Sequence, residues 1–276
     1  MSFAFSQVDV FTESALRGNP LAVVHGADGL SDEQMQTFAR WTNLSETTFL
    51  SRPTSPEADY RVRIFTPGGE LPFAGHPTLG SCHAWLENGG RPKTPGRVFQ
   101  ECAKGLVPIR LDGKRTAFAA PPSTREAVDP QLLAHVLAAL KLPNSKVKAV
   151  SWLDNGPKWL GIVLADAQSV LDIEPEHSLL KNLAKVGVIA PHASGEVQFE
   201  VRAFAAPIGI PEDPVTGSLN ASFAQWLIGE GMAPERYVAA QGTRLDRRGR
   251  VHVQREGDTV WVGGQTVTVI RGELNW

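Results

Sequence analysis

The sequence predicts an α+β protein built as two similar lobes. Three observations lead there: many short stretches in which β-branched and aromatic residues alternate, frequent punctuation by 26 Gly and 20 Pro, and an internal repeat about half the chain apart. At 276 residues the chain is long enough for one large or two medium domains with a substantial core.

The predicted strands, in order, are 5–11, 47–50, 60–65, 107–111, 159–164, 197–204, 251–254, 260–262 and 266–270. Each runs between turn-forming residues. Ser31 reads as an N-cap, with Asp32 and Glu33 in the first turn of a helix reaching about Thr42. Residues 130–140 read as a second helix, with Pro130 near its start and apolar residues at helical spacing. Two further helices are expected to begin near Pro77 and Pro214.

Those last two belong to the repeat. His76-Pro77-Thr78-Leu79-Gly80-Ser81 and Asp213-Pro214-Val215-Thr216-Gly217-Ser218 share a polar residue, Pro, two variable positions and Gly-Ser, and each is followed by an apolar helical run. A Val-Arg-x-Phe strand precedes each, Val62 to Phe65 and Val201 to Phe204. With Pro at the first helical position, His76 and Asp213 are expected at equivalent N-caps or in the preceding loops, facing whatever lies beyond the helix. Helix N-termini present unpaired N–H groups and partial positive charge, which suit carboxylates and developing oxyanions. Gly75 leaves room for a ligand to approach the backbone.

Composition removes several function classes. Lys and Arg total 27 against 29 Asp and Glu, a formal net charge of −2 without a long run of one sign, so nothing favours nucleic acid or an anionic membrane as partner. Two cysteines, Cys82 and Cys102, fit a reducing cytosol and are read as core packing. No stretch approaches the ~20 apolar residues of a membrane span, and the N-terminus lacks a secretory signal pattern, so a cytoplasmic protein is expected. The histidines are scattered without metal-ligand spacing, and no glycine-rich nucleotide motif occurs, so no metal site or nucleotide cofactor is predicted.

Glu46, in Asn43-Leu44-Ser45-Glu46-Thr47-Thr48-Phe49, follows a helix and enters a strand between apolar neighbours. Desolvation there would raise its pKa toward neutrality, which suits a group that both accepts and donates a proton.

Taken together, residues 11–24 (FTESALRGNPLAVV), 43–49 (NLSETTF), 63–80 (RIFTPGGELPFAGHPTLG), 156–160 (GPKWL) and 212–218 (EDPVTGS) resemble the signature of the PhzF family, in order and over nearly the whole chain. The resemblance implies a diaminopimelate epimerase-like fold: two pseudo-twofold-related lobes, each a curled, mostly antiparallel sheet around a central helix. We place the lobes at 1–115, with 266–276 returning to the first, and 116–265, with the active site expected in the cleft between them. It further implies an isomerase without metal or organic cofactor, acting on a small anionic or zwitterionic molecule such as trans-2,3-dihydro-3-hydroxyanthranilate, and typically a homodimer. Carried over by motif, Glu46 is the proton shuttle, and His76 and Asp213 contact substrate. Ser218 and backbone groups around Gly75 and Gly217 hold its carboxylate or amine. The alternatives are an epimerase on another small amino acid and a catalytically silent relative that binds a ligand or protein. The chain departs from the family at Gln241 to Arg247, where Asp246 stands in place of the usual Gly.

Overall fold

The computed structural model describes residues 2–276. The described chain divides into two compact units, residues 2–119 with 263–276, and residues 120–262.

In the first unit the order is β1 (Ser2–Val10), β2 (Asn19–Val24), α1 (Asp32–Thr42), β3 (Thr47–Ser51), β4 (Tyr60–Thr66), β5 (Gly69–Leu71), α2 (Gly75–Glu87), β6 (Arg97–Cys102), β7 (Gly105–Asp112) and β8 (Arg115–Ala119). The second holds β9 (Thr124–Glu126), α3 (Pro130–Ala139), β10 (Val147–Asp154), β11 (Lys158–Leu164), α4 (Ala167–Leu171), α5 (His177–Leu180), β12 (Val186–Pro191), β13 (Phe199–Ala205), β14 (Ile210–Asp213), α6 (Gly217–Gly229), β15 (Arg236–Gln241) and β16 (Gly249–Glu256). Strand β17 (Thr259–Asn275) carries the chain back from the second unit into the first, where it pairs with β1.

The pairing scheme is duplicated. In the first unit β1–β2 is antiparallel, β2–β3 parallel, β3–β4 and β4–β5 antiparallel, β4–β6 parallel and β6–β7 antiparallel. In the second, β10–β11, β11–β12, β12–β13, β13–β14, β13–β15 and β15–β16 repeat that sequence of senses. The likeness extends to side chains. Arg63 of β4 grips Glu70 of β5 through two hydrogen bonds and lies 5.1 Å over the Phe65 ring. Arg202 of β13 grips Glu212 of β14 likewise and lies 4.9 Å over Phe204.

Each unit is organised around one helix. Helix α2 packs on β1, β2, β3 and β8, and its residues from Gly75 to Cys82 are all buried, as for a helix apolar on every side. Close approach needs missing side chains. A Cβ on Gly80 would meet Leu21 at 2.5 Å, and in the second unit one on Gly187 of β12 would meet Leu219 of α6 at 2.4 Å. The outer faces of the sheets carry the other helices. Met35, Phe38 and Ala39 of α1 pack with Phe3, Val24, Phe49 and Phe65, while Val136, Leu140, Val170 and Leu180 cover the sheet face of the second unit. Helix α1 begins as predicted at Ser31, which forms a reciprocal capping box with Gln34.

The repeat motif is corrected by the structure. Pro77 and Pro214 do not begin the two helices: α2 starts at Gly75 after the N-cap Ala74, and α6 at Gly217 after the N-cap Thr216. His76 therefore lies inside the first turn, whereas Asp213 ends strand β14. By helix position, Ala74-Gly75-His76 corresponds to Thr216-Gly217-Ser218. His76 and Asp213, equivalent by sequence motif, are not equivalent in the fold. Pro77 is accommodated because a proline in the first turn removes only an N–H that has no intrahelical partner.

Candidate active site

Glu46 is positioned by the junction between α1 and β3. Helix α1 ends at Asn43, whose backbone is left-handed (φ 53°), and the chain turns directly into β3. Thr47 and Thr48 are fully buried, and the Ser81 hydroxyl of α2 donates to Thr48 Oγ1 at 2.9 Å. These contacts fasten the start of β3 to α2. Glu46 Oε2 then lies 3.2 Å from His76 Nδ1, with the two side chains 18% and 5% exposed.

The other ring nitrogen of His76, Nε2, lies 3.3 Å from the Pro20 carbonyl of β2. A carbonyl only accepts, so this contact requires a proton on Nε2. The Nδ1–Oε2 contact then holds one proton, either as carboxylate with imidazolium or as carboxylic acid with neutral imidazole. Pro20 is carried into place by the preceding turn, which folds back on a buried carboxylate: Asp9 Oδ2 accepts from the N–H groups of Arg17 at 2.7 Å and Gly18 at 2.9 Å. The α2 start is held from its other side by Gln100, which donates to Thr78 Oγ1 at 3.0 Å and accepts from Tyr60 at 2.9 Å.

In the second unit Asp213 Oδ2 accepts from the Thr216 hydroxyl at 2.6 Å. Both are tied to Gln241, only 1% exposed. Its Nε2 donates to the Asp213 carbonyl at 3.1 Å and to Thr216 Oγ1 at 2.9 Å, and its Oε1 accepts from Thr216 N at 3.0 Å and Asn220 Nδ2 at 2.8 Å. Ser218, half-buried in the first turn of α6, accepts from the Trp159 indole at 3.3 Å, and its carbonyl accepts from Asn155 at 2.9 Å. The two acids of the Glu212-Asp213 pair have separate tasks, since Glu212 is spent on Arg202.

Neither α2 nor α6 has a side-chain cap on its N-terminus, and Gly75, His76 and Gly217 are buried there. Burial pushes the Cys82 thiol well above its ordinary range, in keeping with a packing role. Asp246, the departure from the family pattern, sits at φ 56°. This is the left-handed conformation that Gly takes freely and Asp tolerates better than most residues.

Sequence reasoning joined Glu46 and His76 only through the resemblance, and it missed Pro20, Asp9, Asn155 and Trp159 as supports. The blocks Gly18-Asn19-Pro20 and Gly156-Pro157-Lys158-Trp159 were visible as motifs, but nothing in them indicates which distant atom they meet. Gln241 stood out only as the edge of a departing segment, and the fold makes it the centre of a buried network.

The strand scheme with one enclosed helix per unit is that of the diaminopimelate epimerase-like class of fold. A likeness to a hydroxyproline epimerase of Agrobacterium vitis, 13% identical at a TM-score of 0.65 over 99% of this chain and 92% of that one, is a likeness of fold alone. The chain belongs to the PhzC-PhzF family, described as phenazine biosynthesis-like protein, which matches residues 8–272. It is 39% identical to antisense-enhancing sequence 1 of Schizosaccharomyces pombe, covering 98% of each chain. It is 35% identical to trans-2,3-dihydro-3-hydroxyanthranilate isomerase of Pseudomonas aeruginosa, over 91% of this chain and 89% of that one. A crystal structure of a PhzF-family protein from Enterococcus faecalis matches with a TM-score of 0.83, 26% identity and full coverage of both chains. Among the described residues no helix is long and apolar enough to cross a membrane.

Proposed function

We propose that the chain is an isomerase that moves a proton between two carbons of a small cyclic amino acid or carboxylate such as trans-2,3-dihydro-3-hydroxyanthranilate, with Glu46 carrying the proton. The observation that carries this reading is the 3.2 Å contact between Glu46 Oε2 and His76 Nδ1, with His76 Nε2 turned to the Pro20 carbonyl. In the carboxylate–imidazolium form Glu46 is a base whose negative charge is held in place. Taking a proton from a substrate carbon makes it an acid, and returning that proton to another carbon restores the starting state. Proton count closes over the cycle without external acid or base, as an isomerisation requires. Positioned acid–base help of this kind is worth about 10²–10⁴ in rate.

In this proposal His76 orients Glu46 and contacts substrate. Asp213 receives the substrate's polar groups, and Gly75, Gly217 and Ser218 hold its carboxylate or amine. The named reaction of the P. aeruginosa relative supports the substrate class. Assembly as a homodimer in the cytoplasm belongs to the same proposal.

The test is proton NMR in D₂O with trans-2,3-dihydro-3-hydroxyanthranilate, comparing the native protein with Glu46→Gln. Conversion by the native protein, with deuterium appearing on the carbon that gains the proton, and none by the variant, supports the reading. No conversion by the folded native protein removes this substrate. A second reading, a ligand-binding protein without turnover, is favoured by the S. pombe relative, whose name describes no reaction. Under it, Glu46→Gln changes neither turnover nor ligand affinity.

A further inference from the structure

Strand β17 ends in an open edge. On one side it pairs with β1, from Ser2 opposite Asn275 to Gln7 opposite Ile270. On the other side its neighbour β8 runs beside the early part only. The Ala120 N–H donates to the Val260 carbonyl at 2.8 Å, and a Cβ on Gly263 would meet the carbonyl of Thr116, the second residue of β8, at 2.3 Å. Beyond that, Ile270, Arg271, Gly272 and Glu273 are all exposed. The ladder with β1 fixes which backbone groups face outward. The Ala4 carbonyl accepts from the His25 N–H at 2.9 Å and so points to β2, which turns Phe5, and with it the opposite Gly272, into the β1–β17 ladder. Backbone groups alternate in direction along a strand, so the N–H and C=O groups of Arg271 and Glu273 point to the open edge. Among the described residues no strand meets them there. Such an edge is a template for a further strand.

We propose that this edge is an interface between two copies of the chain, whose β17 strands pair antiparallel about a two-fold axis at Gly272. The segment Ile270-Arg271-Gly272-Glu273-Leu274 is self-complementary in that register. Arg271 falls opposite the partner's Glu273, and Ile270 opposite the partner's Leu274. Charges on an edge strand ordinarily keep other strands away. Here they have opposite signs on either side of the axis, so a second copy meets them as attractive cross-strand pairs, each formed twice in an isologous contact. Arg271, 65% exposed, uses one arm on Glu87, Nη2 to Oε2 at 2.6 Å. Glu273 accepts from the Ser2 hydroxyl at 3.1 Å and has no cationic partner among the described residues. The α1 side of the strand is apolar. Leu274 packs against the cluster of Phe3 and Phe38, and the Phe38 ring is stacked by Trp41 at 5.9 Å. Trp41 and Ile270 are 78% and 49% exposed. The inference rests on the homodimer proposed above, whose surface it names, and not on the reaction.

Sedimentation of the full chain tests this with Arg271→Glu, Glu273→Arg and an equimolar mixture of the two. The native protein is expected to be a dimer. Each variant alone sets like charges opposite one another on both sides of the axis, and its dimer dissociation constant should rise at least about tenfold. In the mixture every cross-strand pair is again of opposite sign, so a heterodimer should form. Glu273→Pro serves where a charge variant fails to fold. It removes an N–H that only the partner strand would use, and should give a folded monomer. Amide exchange at Arg271 and Glu273 should slow as the concentration of native protein rises. A native dimer that neither the charge variants nor Glu273→Pro weakens overturns the proposal, as does a mixture that stays monomeric. A monomeric native protein overturns it together with the homodimer reading, and leaves the edge to a strand of another protein. Lack of conversion in D₂O beside an intact dimer fails the reaction alone.

Discussion

Arg202 and Glu212 form a two-bond ion pair, 2.9 and 2.8 Å long, with side chains only 4% and 7% exposed. The third arm of the guanidinium is also used, donating to the carbonyls of Val170 at 3.2 Å and Ile173 at 2.6 Å. Its counterpart in the first unit, Arg63 with Glu70, keeps the same fork but lies at 22% and 36% exposure. Removing one partner of a buried pair strands the other charge, whereas an exposed pair is replaced by water. Glu212→Ala is therefore expected to cost about 3–5 kcal/mol of stability, and Glu70→Ala about 1 kcal/mol or less. Urea unfolding of the two variants measures the difference, and equal losses would show that burial does not separate the pairs.

The Glu46–His76 contact predicts unequal kinetic effects. In the proposed reaction, Glu46→Gln is expected to lower kcat by about 10²–10⁴ because the group proposed to carry the proton is gone. His76→Gln leaves that group in place but removes its ionisable partner, so a smaller loss is expected, together with a changed pH–rate profile. Steady-state kinetics across pH reads both. An unaltered profile in His76→Gln would separate His76 from the proton cycle.

The Gln241 side chain makes four hydrogen bonds in a buried setting, so its loss leaves several donors and acceptors unpaired. Each such group costs about 1–3 kcal/mol. Gln241→Leu is expected to destabilise the protein by at least about 2 kcal/mol and to free the loop that carries Asp213. Thermal unfolding and hydrogen exchange at Thr216 N–H check the two parts.

His25 gives a pH dependence away from the site. It is 7% exposed, beside the Ser6 hydroxyl at 3.1 Å, and burial lowers its pKa from 6.5 to about 4. The unfolded chain therefore binds this proton more readily than the folded one. The stability contributed by keeping His25 neutral is full above pH 6.5 and is lost as pH falls toward about 4. The loss amounts to about 3 kcal/mol over that window at ~1.4 kcal/mol per pH unit. In His25→Gln, urea midpoints at pH 7 and pH 5 should lie closer together than in the native protein; an unchanged gap would assign the acid sensitivity to other groups.

The sequence by itself determined the family, the α+β class, the duplication, the capped start of α1 at Ser31 and the chemical identities of Glu46, His76 and Asp213. These are local matters: alternation, capping chemistry and short motifs are written in neighbouring residues. It left β2, β5, β6, β8, β9, β10, β12, β14 and β15 unassigned, because strands that are short or buried on both faces carry little signal of their own and are made by their partners. It also misread the register of the repeat. A Pro is compatible with more than one first-turn position, so the motif alone does not say whether His76 precedes α2 or lies within it, and only packing of α2 on β1 to β3 decides. Likewise the Pro20 carbonyl and His76 are 56 residues apart, and Gln241 and Thr216 are 25 apart. No local signal reports such pairs. Their geometry follows from strand register and helix placement, which depend on burying the whole core at once, and it is this that turns the His76 ring between Glu46 and the Pro20 carbonyl.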